Sequence, residues 1–257
     1  AANTTGASNV AVGANALDAN TGGDNNTAIG DNALGGTTTG SNNTAVGDDA
    51  LITNTTGGQN TAVGGGALDS STTASYNTAV GYTALTACTT GHSNVAVGKD
   101  AGVAITTGIS NTVVGMDAGD AITTGGENSA FGDNAGGAIT TGSTNTCVGS
   151  AAGTQGVLLQ TGTQNTIVGT YSNTSATDST QQIVLGYNCG GSADTTITVG
   201  AGSTDSTMSL GGTTWSAPSD VRMKEEIETS TAGLGFINDL RPVTFKWKKE
   251  KDIPEEL

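Results

Sequence analysis

The sequence predicts an all-β chain built as a parallel β-solenoid of 17-residue rungs. The pattern N-[TVS]-[AVC]-[VIF]-G recurs with its Asn at positions 9, 26, 43, 60, 77, 94, 111, 128 and 145, and every interval is 17. Gly returns at two fixed phases of that period. Between these glycines Thr and Val dominate, and no apolar 3.6-residue periodicity appears before Val221, which argues against helices.

Rung positions are counted from the Asn as zero. Gly at +4 never varies from Gly13 to Gly149, and a second Gly at −3 runs from Gly6 to Gly162 with Ala74 as its exception. Glycines fixed in this way mark corners, where φ turns positive or backbones approach closely. The series resumes at Asn165 after an interval of 20 and at Gln182 after another 17. The three extra residues fall between Ala152 and Thr161 and are predicted to form a loop or bulge without loss of a rung.

Stacked rungs satisfy one another's backbone groups and align identical residues, so Asn amides are predicted to hydrogen-bond along the axis. With strands ~4.8 Å apart, eleven rungs make a rod of roughly 50 Å. Both faces of the short strand are apolar. Position +3 is Val, Ile or Phe (Val12 to Val148), and +2 is Ala, Val or Cys (Ala11 to Cys147). A strand buried on both sides needs a second cover. The expectation is that +3 fills the coil's own core and that the small +2 side chain lets another subunit approach.

The bulky core residue changes place along the chain. Five rungs carry Leu at +8 (Leu17, Leu34, Leu51, Leu68, Leu85), whereas the next three carry Gly there (Gly102, Gly119, Gly136) and Ile at +11 (Ile105, Ile122, Ile139). One large side chain per turn is kept, as a fixed volume requires. Two sections of shaft are therefore expected to meet near Gly98.

Composition restricts the function classes. Gly numbers 41, Pro 3, and aromatic residues make up 4%, unlike an ordinary globular core. Residues 1–218 hold 14 Asp and Glu against the single base Lys99, within a net charge of −15 for the chain. Such a surface repels nucleic acid, which needs basic side chains to displace counterions from phosphate. Cys88, Cys147 and Cys189 lie too far apart to imply a disulfide framework and read as small apolar fillers. No stretch reaches the roughly 20 apolar residues of a membrane span, so membrane insertion is not expected. The chain opens on Ala1-Ala2-Asn3 without a signal peptide or Met, and the expectation is a fragment of a longer protein.

Candidate sites for other chemistry are few. Asp31, Asp48, Asp49, Asp117 and Asp133 fall at corners, where turn chemistry accounts for them, and the G-G-x-G-x-D repeats of calcium-binding coils are absent. No pair of carboxylates is marked out as an acid and base at glycosidase separation. His92 occupies a variable repeat position and reads as a loop residue. Neither a cofactor nor a metal is expected.

The N-T-A-V-G-x-x-A repeat, from about Gly6 to Gly186, resembles the head repeats of trimeric autotransporter adhesins and repeats of phage tail fibres. The resemblance implies parallel coils associating as a homotrimer. Three regions are expected: a solenoid shaft over 1–186, a β neck over 187–218 that includes Ile197-Thr198-Val199-Gly200, and a small α+β segment over 219–257.

That last segment opens with Ser219-Asp220-Val221-Arg222-Met223-Lys224-Glu225-Glu226-Ile227 and continues through a predicted helical stretch to Leu240-Arg241-Pro242-Val243-Thr244-Phe245-Lys246-Trp247. The two blocks resemble the start of the intramolecular chaperone domain of tailspikes and endosialidases, the peptidase S74 family. The resemblance implies a domain that trimerises, nucleates fibre folding and then cuts itself off, with Ser219 as nucleophile, Lys224 as its partner and Asp220 flanking them. A Ser hydroxyl needs an adjacent base, and a buried Lys with lowered pKa can serve. The bland alternative is an N-cap at Ser219-Asp220 with Glu225 and Glu226 in the first helical turns. The family's domain is much longer than the stretch from Ser219 to Leu257.

The expected function is therefore a fibre or spike protein of a virion, extracellular, with other tail proteins and a host-surface glycan or protein receptor as partners. An adhesin head is the alternative, which would require a membrane-anchoring β-barrel. A monomeric ice-binding solenoid with a Thr array is the third reading.

Overall fold

The computed structural model describes residues 3–202 and 204–214. Within them the chain is a parallel β-solenoid without helices, and its strands form one sheet in chain order. The strands are β1 (Val10–Val12), β2 (Thr27–Ile29), β3 (Thr44–Val46), β4 (Thr61–Val63), β5 (Thr78–Val80), β6 (Val95–Val97), β7 (Thr112–Val114), β8 (Ser129–Phe131), β9 (Thr146–Val148), β10 (Thr166–Val168), β11 (Ile183–Tyr187), β12 (Thr196–Ala201) and β13 (Ser206–Ser209). Register follows the sequence period, with Ala28 opposite Ala45 and Ala45 opposite Ala62. The longer interval is absorbed as a loop, since β10 still pairs with β9 through Thr166 and Thr146. Beyond β11 the rung shortens, and Ile197 of β12 lies opposite Ile183. The hairpin strand β13 then covers β12 in antiparallel register.

A side-chain ladder runs inside the sheet. The Oδ1 of Asn77 accepts both the backbone N–H of Asn94 (2.9 Å) and its Nδ2 (3.2 Å). The Nδ2 of Asn94 also donates to the carbonyl of Gly108 at 2.9 Å. Asn111 repeats the arrangement on Asn94, Asn128 on Asn111, and Asn145 on Asn128. These side chains are buried, so each amide is satisfied by protein where no water reaches it. Gln182 ends the series. Its backbone N–H still bonds the Oδ1 of Asn165 (3.0 Å), but its own amide turns away to Ser175 and Asp194.

Corners explain why the strands are only three residues long. Gly64 has φ 135°, a conformation essentially closed to L residues, and a Cβ there would lie 2.3 Å from the carbonyl oxygen of Gly81 on the next rung. The same double constraint recurs at +4 along the shaft. At −3 the constraint is close approach alone: a Cβ on Gly40 would meet the Gly57 oxygen at 2.4 Å. Thr hydroxyls at −5 tie neighbouring rungs, Thr38 donating to the carbonyl of Thr55 (3.1 Å) and Thr55 to that of Thr72 (2.9 Å).

The core is narrow, and its filling corrects one sequence expectation. Ala28, Ala45, Ala62, Ala79 and Ala96 at +2 point inward and are fully buried, whereas Val12, Ile29 and Phe131 at +3 point outward and are exposed. The orientation is therefore the reverse of the predicted one. A rung that also houses the Asn, a second Ala at +7 and a Leu at +8 carries Ala at +2, whereas Val113, Ile167 and Val184 fill the same inward place in rungs without Leu at +8.

The exchange of Leu for Ile is borne out, and backbone strain gives its reason. Leu34, Leu51, Leu68 and Leu85 are fully buried but hold φ of 52–54°. A left-handed non-Gly residue costs roughly 1–2 kcal/mol, and burying Leu returns about 1.5–3 kcal/mol, so burial prevails. In the second section Gly102 takes that left-handed position at φ 60°, and Ile105 supplies the volume from +11. A Cβ on Gly102 would meet Cδ1 of Ile105 at 2.9 Å. In the interrupted rung Leu159 takes the core place opposite Gly153.

Gly64→Ala and Gly65→Ala separate corner geometry from loss of glycine as such. Gly65 has no positive φ, and a Cβ there meets nothing nearer than Cδ2 of Tyr82 at 3.6 Å. Chemical denaturation is expected to show Gly64→Ala destabilised by about 3 kcal/mol or more and Gly65→Ala within about 0.5 kcal/mol of the parent.

Candidate association face and C-terminal motif

The outward side of the strands is the largest continuous feature of the shaft. From β2 to β10 position +1 presents Thr27, Thr44, Thr61, Thr78, Val95, Thr112, Ser129, Thr146 and Thr166, each half-buried. Position +3 presents Ile29, Val46, Val63, Val80, Val97, Val114, Phe131, Val148 and Val168. Parallel in-register pairing sets these residues in two straight columns. None of the 14 acidic residues of 1–218, nor Lys99, falls in either column. Sequence reasoning found the two-sided apolar strand but assigned the wrong column to the outside.

Charge is confined to the corners. Lys99 pairs with the adjacent Asp100, which also accepts from the Thr83 hydroxyl, and these contacts hold the Asp100 carboxyl below the ordinary range. Asp120 is raised, chiefly by burial and then by Asp117, and Asp69 likewise by burial and then by Asp49. Among the described residues no group of three His, Cys, Asp or Glu is placed to hold a metal. His92 is exposed, with Nδ1 3.2 Å from the Ser93 hydroxyl, and borders a shallow depression lined by Thr73, Ser75, Tyr76 and Thr90. No helix in the described residues is long and apolar enough to cross a membrane.

Cys88, Cys147 and Cys189 are free and buried, as fillers should be. Burial pushes the Cys147 thiol up to about 12 and that of Cys88 to about 11. Neither is disposed to act as a nucleophile at neutral pH.

Ser219, Asp220 and Lys224, the residues singled out for self-cleavage, lie outside the described residues, as does the stretch predicted to be helical. Residues 219–256 match the family described as chaperone of endosialidase, Peptidase_S74. The match begins at Ser219, where the sequence motif begins. No curated protein and no solved structure matches the chain. A repetitive β-solenoid followed by a segment matching this family fits a fibre- or spike-like protein.

The thiols supply a pH test of the core. A thiol raised above its ordinary value of 9.0 leaves stability at its full value below about pH 9, and stability falls as pH rises toward 11 to 12, because only the unfolded chain ionises freely. Iodoacetamide at pH 8 is expected to leave Cys147 unmodified in the folded chain and to label it once denaturant is added. Labelling of Cys147 at equal rates in both states would contradict its buried position.

Proposed function

We propose that the chain is the shaft of a homotrimeric fibre or spike of a virion, ending in an intramolecular chaperone that assembles the trimer and then cuts itself off. The observation that carries this reading is the family match at 219–256, directly after a repetitive solenoid. The shaft spans distance and displays or forms a surface for host attachment. In this reading its partners are two further copies of the chain, other tail proteins and a glycan or protein receptor on the host.

Cleavage is assigned to Ser219, with Lys224 as the base that removes its hydroxyl proton and Asp220 flanking the pair. The Ser oxygen attacks a main-chain carbonyl, the amide C–N bond breaks, and the proton passes to the leaving amine. Water then hydrolyses the resulting ester. One turnover per chain is enough for such a domain, and no cofactor takes part.

Expression of the precursor tests the assignment. The parent is expected to shorten at Ser219, read by intact mass, whereas Ser219→Ala and Lys224→Ala remain full length. Equal processing of parent and both variants would remove the protease assignment while leaving the shaft reading in place.

A further inference from the structure

We propose that the two outward columns at +1 and +3 form the subunit interface, with a second and third copy of this chain as occupants, parallel and in register. The inference rests on the fibre reading above and names the surface through which the copies meet.

Charge distribution selects this face. Asp and Glu occupy the corner positions of successive rungs, at Asp31, Asp48 and Asp49 and again at Asp100, Asp117 and Asp133, so close approach of two shafts elsewhere sets like charges together. The +1 and +3 columns carry no charge over nine consecutive strands, from Thr27 to Val168. Their Val, Ile and Phe side chains, with Ile29 40% and Phe131 41% exposed, make a long apolar stripe of the kind monomeric proteins rarely leave open.

One rung trades volume between the columns, which an open face would not require. Phe131 is the one Phe at +3, and in that rung alone +1 shrinks to Ser, Ser129. An exposed Phe has no need of a smaller neighbour. If the +3 column of one copy packs on the +1 column of the next at the same level, Ser129 of one chain makes room for Phe131 of another. Three copies about an axis parallel to the shaft close this heterologous +1 to +3 contact into a ring.

The test uses the full chain with charge placed on or off the stripe. Val63→Glu with Val80→Glu is expected to lower the mass by light scattering threefold, and Ala87→Glu with Ala104→Glu, half-buried at +10, is expected to leave it unchanged. A second pair of variants does not depend on adding charge: Thr78→Cys with Val80→Cys, one at +1 and one at +3 of the same rung, oxidised with diamide, is expected to give covalently linked copies on a non-reducing gel, and Ala87→Cys with Ala104→Cys is not. A monomeric parent would overturn the trimer itself. A trimeric parent whose Val63→Glu, Val80→Glu form stays trimeric, or whose Thr78→Cys, Val80→Cys form gives no interchain disulfide, would overturn this face and leave the trimer standing.

Discussion

The buried Asn ladder is the interaction on which the rest of the shaft depends. A coil of seventeen residues with strands only three long has little main-chain pairing per rung, and its core holds mostly Ala with one Leu or Ile. Asn94 accepts from the backbone and side-chain amides of Asn111 and donates to the Gly108 carbonyl of that rung, and the arrangement repeats along the shaft with a backbone carbonyl as acceptor in every rung. A net hydrogen bond contributes only about 0.5–1.5 kcal/mol, but an orphaned buried amide costs about 1–3 kcal/mol. Replacing one Asn therefore strands groups on two rungs, and the penalty exceeds the mean strength of the bonds removed. Stability in such a stack is a sum of nearest-neighbour terms, and this ladder makes those terms large.

The other fixed residues follow from the ladder. Donation from Nδ2 of Asn43 to the Gly57 carbonyl of the next rung lays the amide against the Gly at −3 of its own rung, where a Cβ on Gly40 would approach Nδ2 of Asn43 to 3.2 Å as well as striking the Gly57 carbonyl. The +4 Gly closes the strand at the φ its turn demands. Position +8 then enters the core in a left-handed conformation, so the chain either strains a buried Leu there or places Gly there and fills the core from +11. Both solutions occur, and they meet between Leu85 and Ile105.

Much of this was legible in the sequence, because one-dimensional repetition turns spatial stacking into a period. The rung length, the Asn ladder, the two Gly corners, the Leu and Ile exchange and the loop before Leu159 could all be read from spacing. Orientation of the strand could not. Alternation tells inside from outside when one face is polar, whereas here +2 and +3 are both apolar. The deciding quantity is how the whole rung shares its core volume: Ala28 faces inward in a rung that also buries Leu34, and Ile167 takes the same place in a rung without a Leu at +8. Positive φ at Leu51 and Leu68 was hidden for a related reason: a bulky residue in that conformation runs against local preference and is held there by burial. The C-terminal pair of blocks was legible as a family resemblance, and the family match covers the same residues.

The most direct measurement of the ladder's role is the unfolding free energy of Asn94→Ala beside that of Thr56→Ala, an exposed polar residue at −4. Removing the Asn94 amide leaves the backbone N–H of Asn111 without its acceptor, takes one of two acceptors from Nδ2 of Asn111, and leaves the Gly108 carbonyl without its side-chain donor. A loss of about 3–5 kcal/mol is expected for Asn94→Ala against less than about 0.5 kcal/mol for Thr56→Ala. Equal, small effects from the two substitutions would show that backbone pairing and the narrow apolar core hold the rungs together without the ladder.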